Sequence, residues 1–202
     1  MNSPNPIEDN MMKPLLAALP LLVAGIAHAD SVEWKLDMSH TKVGFSVPHL
    51  VVSSVEGRFK EATAKIVLDD GDLTKSEVTV EINAASIDTS DTKRDDHLRS
   101  PDFFDVKKFP KLTFKSTKIA KSGAGYKLAG NLTIRDVTKP VTLDATLSAP
   151  VKTPWGNQAR AAKVTGKLKR SDFGLTWNKA LEAGGVLVGE EVTLNVTAEV
   201  TK

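Results

Sequence analysis

"EVTLNVTAEV", residues 191–200, puts Val192, Leu194, Val196, Ala198 and Val200 on one side of an extended chain and polar groups on the other. Side chains of a strand point alternately to opposite faces, so this period-two row predicts a strand with one face on a core and one in water. Valine and threonine enrichment suits such a pleated, half-buried surface. The same rhythm recurs in Val78, Val80 and Ile82, in Leu128, Gly130, Leu132 and Ile134, and in Val141, Leu143, Ala145 and Leu147. Between the rows lie turn signals: "DDGDLTKS" at 69–76, "KSGAGY" at 121–126, "TPWGNQ" at 153–158 and "AGGVLVGE" at 183–190. The count of such segments is roughly eight to ten, which fits a sandwich or a closed barrel.

Alternation does not choose between those two, because each gives every strand one apolar face. Two observations favour a barrel with internal space. The apolar rows carry small residues (Ala62, Ala64, Gly130, Ala145, Ala162, Gly166, Ala198), and aromatics are only 5% of the chain. Small inward residues leave room for one ligand in an eight-stranded barrel, yet they could equally face each other across a thin sandwich.

One stretch breaks the rhythm. Residues 88–105, "DTSDTKRDDHLRSPDFFD", do not alternate. Ser90 or Asp91 can cap a short helix through Leu98, and Ser100-Pro101 would stop it. The excursion crowds Arg94, Asp95, Asp96, His97 and Arg99 directly before Phe103 and Phe104.

The beginning of the chain reads as a leader. Lys13 precedes the uncharged run "PLLAALPLLVAGIAHA", which ends in Ala27-His28-Ala29. A positive start, an apolar centre and a small-x-small terminus are the order of a secretory signal peptide. Residues 1–29 are therefore expected to be removed, and 30–202 to form one domain with no integral membrane span. Glu8 and Asp9 are unusual ahead of that lysine, so Met11 or Met12 competes with Met1 as the true start. The mature chain is therefore expected to be exported.

Charge and cysteine content narrow the classes further. The whole chain has 27 basic and 25 acidic residues, and removal of Lys13, Glu8 and Asp9 leaves the balance mildly positive. The basic residues are scattered, whereas nucleic-acid binding needs a concentrated basic face. There is no cysteine, which removes thiolate catalysis, thiolate metal ligation and lipid attachment through a thiol.

Catalytic constellations are weak. Ser100, His97 and Asp95 spell a triad on paper, but three neighbours in one short segment seldom converge, and no G-x-S-x-G elbow exists. Asp95 and Asp96 are adjacent, so they point apart and do not make a glycosidase pair. Among the four histidines, His40, His49 and His97 lie beyond the leader and show no H-x-H or H-x-x-x-H spacing, so no metal site is expected. What remains is a pocket with a polar entrance. Arg94, His97 and Arg99 can donate to an anionic or carbonyl head group, Asp95 and Asp96 can orient them, and Phe103 and Phe104 can line the apolar part. A tail of a dozen carbons at ~0.8 kcal/mol per CH₂ contributes on the order of 10 kcal/mol gross, against about 1.5–3 for a charged hydrogen bond. Tail burial would thus set affinity and the charged group orientation. The same charges could instead only brace the fold.

Four motifs then carry a resemblance. "WKLDMSHTKVGFSVPHLVVSSVEGRF" (34–59), "SIDTSDTKRDDHLRSPDFFDVKKFPKLTFKSTKI" (86–119), "GNLTIRDVTKPVTL" (130–143) and "KRSDFG" (169–174) occur in this order. Together they resemble the YceI-like family of exported bacterial polyisoprenoid-binding proteins, from about Trp34 to the C-terminus. "TIRDVTKPV" departs from the commoner form, with Asp136 in place of a glycine. The resemblance implies an all-β, lipocalin-like, eight-stranded antiparallel β-barrel around a long apolar tunnel, with the excursion at 88–105 as its one helical or looped piece. It implies no cofactor and no established catalysis. The implied function is a non-enzymatic periplasmic carrier for a polyisoprenoid or similar long-chain amphiphile, with room left for a homodimer.

Strand parity and motif position together suggest Phe45, Val47, Phe59, Ile82, Leu98, Phe103, Phe104, Phe114, Leu132, Ile134 and Trp177 as the tunnel wall. His40, Arg94, Asp95 and His97 are the candidates for its polar end. Two alternatives stand beside this reading: a lipid-modifying enzyme with His97 as general base or acid, and an envelope or stress scaffold whose barrel interior is filled.

Overall fold

A computed structural model describes residues 31–50, 52–182 and 184–202. The leader expected at 1–29 lies outside the described residues. The alternating rows all become strands: β1 (Ser31–His49), β2 (Ser53–Phe59), β3 (Ala62–Asp69), β4 (Glu77–Asn83), β5 (Ile87–Asp88), β6 (Lys111–Ser122), β7 (Gly125–Ile134), β8 (Val137–Leu147), β9 (Val151–Lys152), β10 (Gln158–Lys169) and β11 (Glu191–Thr201). Following backbone pairing around the molecule gives β1-β3-β4-β6-β7-β8-β10-β11, and β11 returns to β1. The pairs are antiparallel throughout. Among the described residues this is a closed eight-stranded barrel with one short α-helix. Closure leaves none of the eight with an open edge, which is how a β-protein without disulfides avoids edge pairing with other chains.

Two irregularities decide which residues point inward. β1 pairs with β11 as Leu36↔Val200 and then Val43↔Val196, with a register shift between Asp37 and Lys42. The extra residues bulge outward and change the parity, so even-numbered Leu36 and odd-numbered Val43 both face the interior. A shift between Ser116 and Lys118 does the same in β6, taking Phe114 and Ile119 to one side. The β7–β8 hairpin turns through Arg135 and Asp136, and its left-handed residue is Arg135 (φ 57°). Asp136 therefore does not occupy the position that would demand a glycine.

One end of the barrel is sealed. Trp34 is fully buried with Ile66, Leu68 and Val200. Over its indole stand the Arg160 guanidinium at 5.7 Å and the Lys202 ammonium at 4.6 Å, and both cations pair with Asp70 at 2.9 and 2.8 Å. The opposite end carries α1 (Thr92–Arg99) and the chain from Gly174 to Glu190. α1 starts where expected: Asp91 caps it, its carboxylate accepting the Arg94 N–H at 3.0 Å, and Ser100 closes it. That hydrogen bond holds the Asp91 carboxyl below its ordinary range.

Candidate functional site

Two apolar cavities open in the interior. The upper, about 480 Å³, lies beneath α1; the lower, about 170 Å³, lies toward Trp34. The first falls in the range of small-molecule pockets, ~300–1,000 Å³. The second is about as large as an engineered cavity that stays dry and takes benzene or xenon. Inward residues such as Val192, Leu194, Val196 and Ala198 are consequently only half-buried. They face empty space instead of packed side chains.

The wall of the upper chamber comes from strand alternation below and from the excursion above. Phe45, Val47 and Phe59 rise from β1 and β2, Leu168 from β10, and Val192 and Leu194 from β11. Leu98, Phe103, Phe104 and Trp177 close over them. The rings interlock: Phe59 lies 5.8 Å from Phe45 and meets the Phe104 ring edge-on at 5.7 Å. The His97 ring stands edge-on to Phe103 at 5.0 Å and to Trp177 at 4.7 Å. Such aromatic pairs fix ring orientation beyond what area burial alone provides.

The rim is polar, and α1 supplies it. Lys93, Arg94 and His97 border the chamber together with the capping Asp91. Thr89 is the hub. Its hydroxyl donates to Asp95 at 2.6 Å and accepts from Arg94 Nε at 2.8 Å, while its carbonyl accepts from Arg94 Nη2 at 2.8 Å. Buried Asp95 also accepts the Thr89 N–H at 2.9 Å. Asp95 thus orients Arg94 through Thr89 and does not itself line the chamber. Nη1 of Arg94 has no partner among the described residues. His97 Nε2 meets Asp102 at 2.8 Å. A carboxylate only accepts, so Nε2 is the donor in this pair. Arg99 points elsewhere, donating to the carbonyls of Ala85 and Ile87 at 2.9 Å and pairing with Asp96 at 2.9 Å. It ties α1 to the barrel.

Of the residues expected in the tunnel wall, Phe45, Val47, Phe59, Leu98, Phe103, Phe104, Ile134 and Trp177 line the upper chamber, as do Arg94 and His97 from the expected polar end. Ile82, Phe114 and Leu132 line neither cavity; they pack in the main hydrophobic cluster of the barrel. His40 sits outside, toward the sealed end. The β1 bulge carries it into an exposed cluster, where its Nδ1 meets Asp37 at 2.9 Å. The Ser39 hydroxyl, with His40, brings the Asp37 carboxyl down to about 2, and the bond to Asp37 raises the His40 ring above its ordinary value. His49 and His97 both border the upper chamber, so the three histidines do not converge.

Sequence reasoning missed Arg170. It is almost fully buried and donates to the carbonyls of Gly189 (2.9 Å), Leu175 (2.5 Å), Trp177 (2.9 Å) and Val188 (3.4 Å). Burial lowers its pKa from the ordinary value. One guanidinium thus fastens both arms of the 174–190 segment, which places Trp177, Leu187 and Val188 over the chamber. The only sequence signal was its place in "KRSDFG".

The comparisons agree with this geometry. The model of the YceI-like domain matches residues 34–200. A UPF0312 protein of Serratia proteamaculans is 42% identical over 164 residues, covering 80% of this chain and 84% of its own. Among solved structures, BcnA of Burkholderia cenocepacia superposes with a TM-score of 0.71 at 25% identity, covering 81% of this chain and 98% of its own. A polyisoprenoid binding domain from Saccharophagus degradans, implicated in plant cell wall breakdown, reaches a TM-score of 0.55 at 14% identity over 83% of this chain and 97% of its own. That last likeness is one of fold.

Proposed function

The chain belongs to the YceI-like family, and from that premise we propose that it is a non-enzymatic periplasmic carrier that holds a polyisoprenoid or similar amphiphile tail-first in the upper chamber. The observation that supports this most is the chamber's polarity gradient. Its wall is mainly hydrocarbon, and the polar residues of α1 and its cap that border it are Asp91, Lys93, Arg94 and His97. Tail carbons gain ~0.8 kcal/mol each on leaving water. A charged or carbonyl head group would meet the unpartnered Nη1 of Arg94, a fork suited to oxygen acceptors.

Native mass spectrometry of protein purified from its source cells tests the reading directly. A copurified amphiphile supports it, and an empty barrel that also refuses polyprenyl and fatty-acyl probes sinks it. The roles separate by substitution. Phe104→Ala is expected to weaken every long-tailed ligand about tenfold or more, since truncation removes wall contacts worth more than ~1.4 kcal/mol. Arg94→Ala is expected to change the ranking of head groups at equal tail length. Equal losses for all head groups would make Arg94 a brace for Thr89 only.

A second reading draws on the 2.8 Å His97–Asp102 hydrogen bond at the rim. A histidine so oriented can act as general base on a bound lipid. It requires turnover that His97→Ala abolishes while binding survives.

A further inference from the structure

The apolar surface of the upper chamber does not stop at its mouth. Pro48, His49, Leu187 and Val188 line it. Just beyond them in the chain stand Leu50, Val52 and Val186, which are 37%, 84% and 44% exposed. Backbone pairing makes the two segments one rim. His49 bridges Val188, the Gly189 N–H donates to the Pro48 carbonyl at 2.8 Å, and the Leu50 N–H donates to the Leu187 carbonyl at 3.0 Å. The Val52 N–H donates to the His49 carbonyl at 3.2 Å, and Val186 is set by its bridge to Ala180. Turns between strands ordinarily use Gly, Asn or Asp, which accept left-handed backbone and are at ease in water. Here the left-handed residue is Leu50, at φ 55°, a conformation that bulky side chains seldom hold. Among the described residues the other large exposed apolar side chains are Val32, Val151 and Trp155. They lie toward the sealed end, Val32 beside Leu68 and the other two in the β9–β10 turn near Lys202. Only the group at the mouth continues the wall of the upper chamber.

We propose that this rim is a membrane-docking edge: Leu50, Val52 and Val186 enter the apolar margin of a lipid bilayer, and the amphiphile passes between bilayer and chamber without crossing water. This rests on the reading of the upper chamber as the tail site and adds where the tail is loaded and released. The chemistry of the tail identifies the surface. Each methylene that leaves hydrocarbon for water lowers the equilibrium about fourfold, so a dozen carbons oppose release into water by about 10⁷-fold. Contact between an apolar rim and the acyl boundary of a bilayer removes that barrier, because the tail then moves from hydrocarbon to hydrocarbon. Charge does not direct the contact. Lys93 and Lys179 are exposed near the mouth, but so are Asp91 and Glu182. The signs balance, and the apolar side chains carry the attraction.

Transfer of a pyrene-labelled fatty acid from the loaded protein to phosphatidylcholine vesicles tests the edge. The rate should rise in proportion to vesicle concentration, because release takes place during contact. Adding phosphatidylglycerol to the vesicles should leave it much the same. Joint replacement Val52→Ser and Val186→Ser should slow transfer about tenfold or more, while equilibrium affinity for the probe stays that of the native protein. Both side chains are exposed, so the fold is not at stake. Trp155→Ser, which removes the 87% exposed indole near the sealed end, should change neither quantity. A rate independent of vesicle concentration overturns the docking edge, leaves the rim to a protein partner and keeps the carrier reading intact. Equal slowing by Trp155→Ser overturns the edge as well. Absence of probe binding overturns the carrier reading and the edge together.

Discussion

Replacing Arg170 with alanine is expected to lower the melting temperature by roughly 6–12 °C, at about 2–4 °C per kcal/mol for a chain of this size and ~3 kcal/mol lost. The reasoning is a count of acceptors. Four carbonyls converge on one guanidinium, and three of the contacts are 2.9 Å or shorter. A buried carbonyl without its donor costs about 1–3 kcal/mol, and the barrel offers no replacement inside. Lysine should not rescue, since one ammonium cannot span acceptors on both arms of the 174–190 segment. Thermal unfolding followed by circular dichroism provides the check, and a loss below about 1 kcal/mol would show that water satisfies the carbonyls.

Acid should loosen the same anchor. Glu190 accepts from the Ser171 hydroxyl and from the Ser171 N–H at 3.0 Å, and these bonds, with Arg170 beside them, hold its carboxyl below the ordinary range. A carboxyl depressed by folding adds stability above its unfolded pKa and loses it as pH falls through the folded one. The decline therefore belongs to the acid side of the ordinary glutamate value. Glu190→Gln should flatten that part of a melting-temperature profile against pH.

The second large effect concerns binding. Leu194→Trp should reduce affinity for long-tailed ligands at least a hundredfold while the barrel still folds. Leu194 projects into the 480 Å³ chamber, so a larger side chain there expands into empty space and avoids the usual cost of overpacking. The indole takes the volume of several ligand carbons, and four carbons at ~0.8 kcal/mol each amount to roughly 3 kcal/mol, or more than a hundredfold. Calorimetric titration with a fatty-acyl probe measures it. Unchanged affinity would place the ligand elsewhere on the protein. The contrast with Arg94→Ala is informative, because one substitution removes space and the other removes a single donor.

The rim shows why a charge-rich segment was hard to read from residue types. Arg94, Asp95, Asp96, His97 and Arg99 are near neighbours in sequence, yet a turn of α1 sends them three ways. Arg94 and His97 reach the chamber, Asp95 turns back to Thr89, and Arg99 with Asp96 fastens the helix to Ala85 and Ile87. His40 shows the opposite difficulty. Simple alternation says nothing of a bulge, and the bulge in β1 carries that side chain to the outer surface near the sealed end.

The sequence by itself determined the strand rows, the Asp91-capped helix that interrupts them, the apolar character of the wall and the family motifs. Those are local: a period of two, a capping carboxylate and a proline stop act within a few residues of themselves. Only the tertiary structure decided that the sheet closes on eight strands, that Arg170 fastens the segment over the mouth, and that the Phe114 ring packs on the bare backbone of Gly130. Each of these depends on backbone brought together from distant strands. A glycine on β7 matters only once β6 lays a phenylalanine across it, and no spacing along the chain expresses that contact.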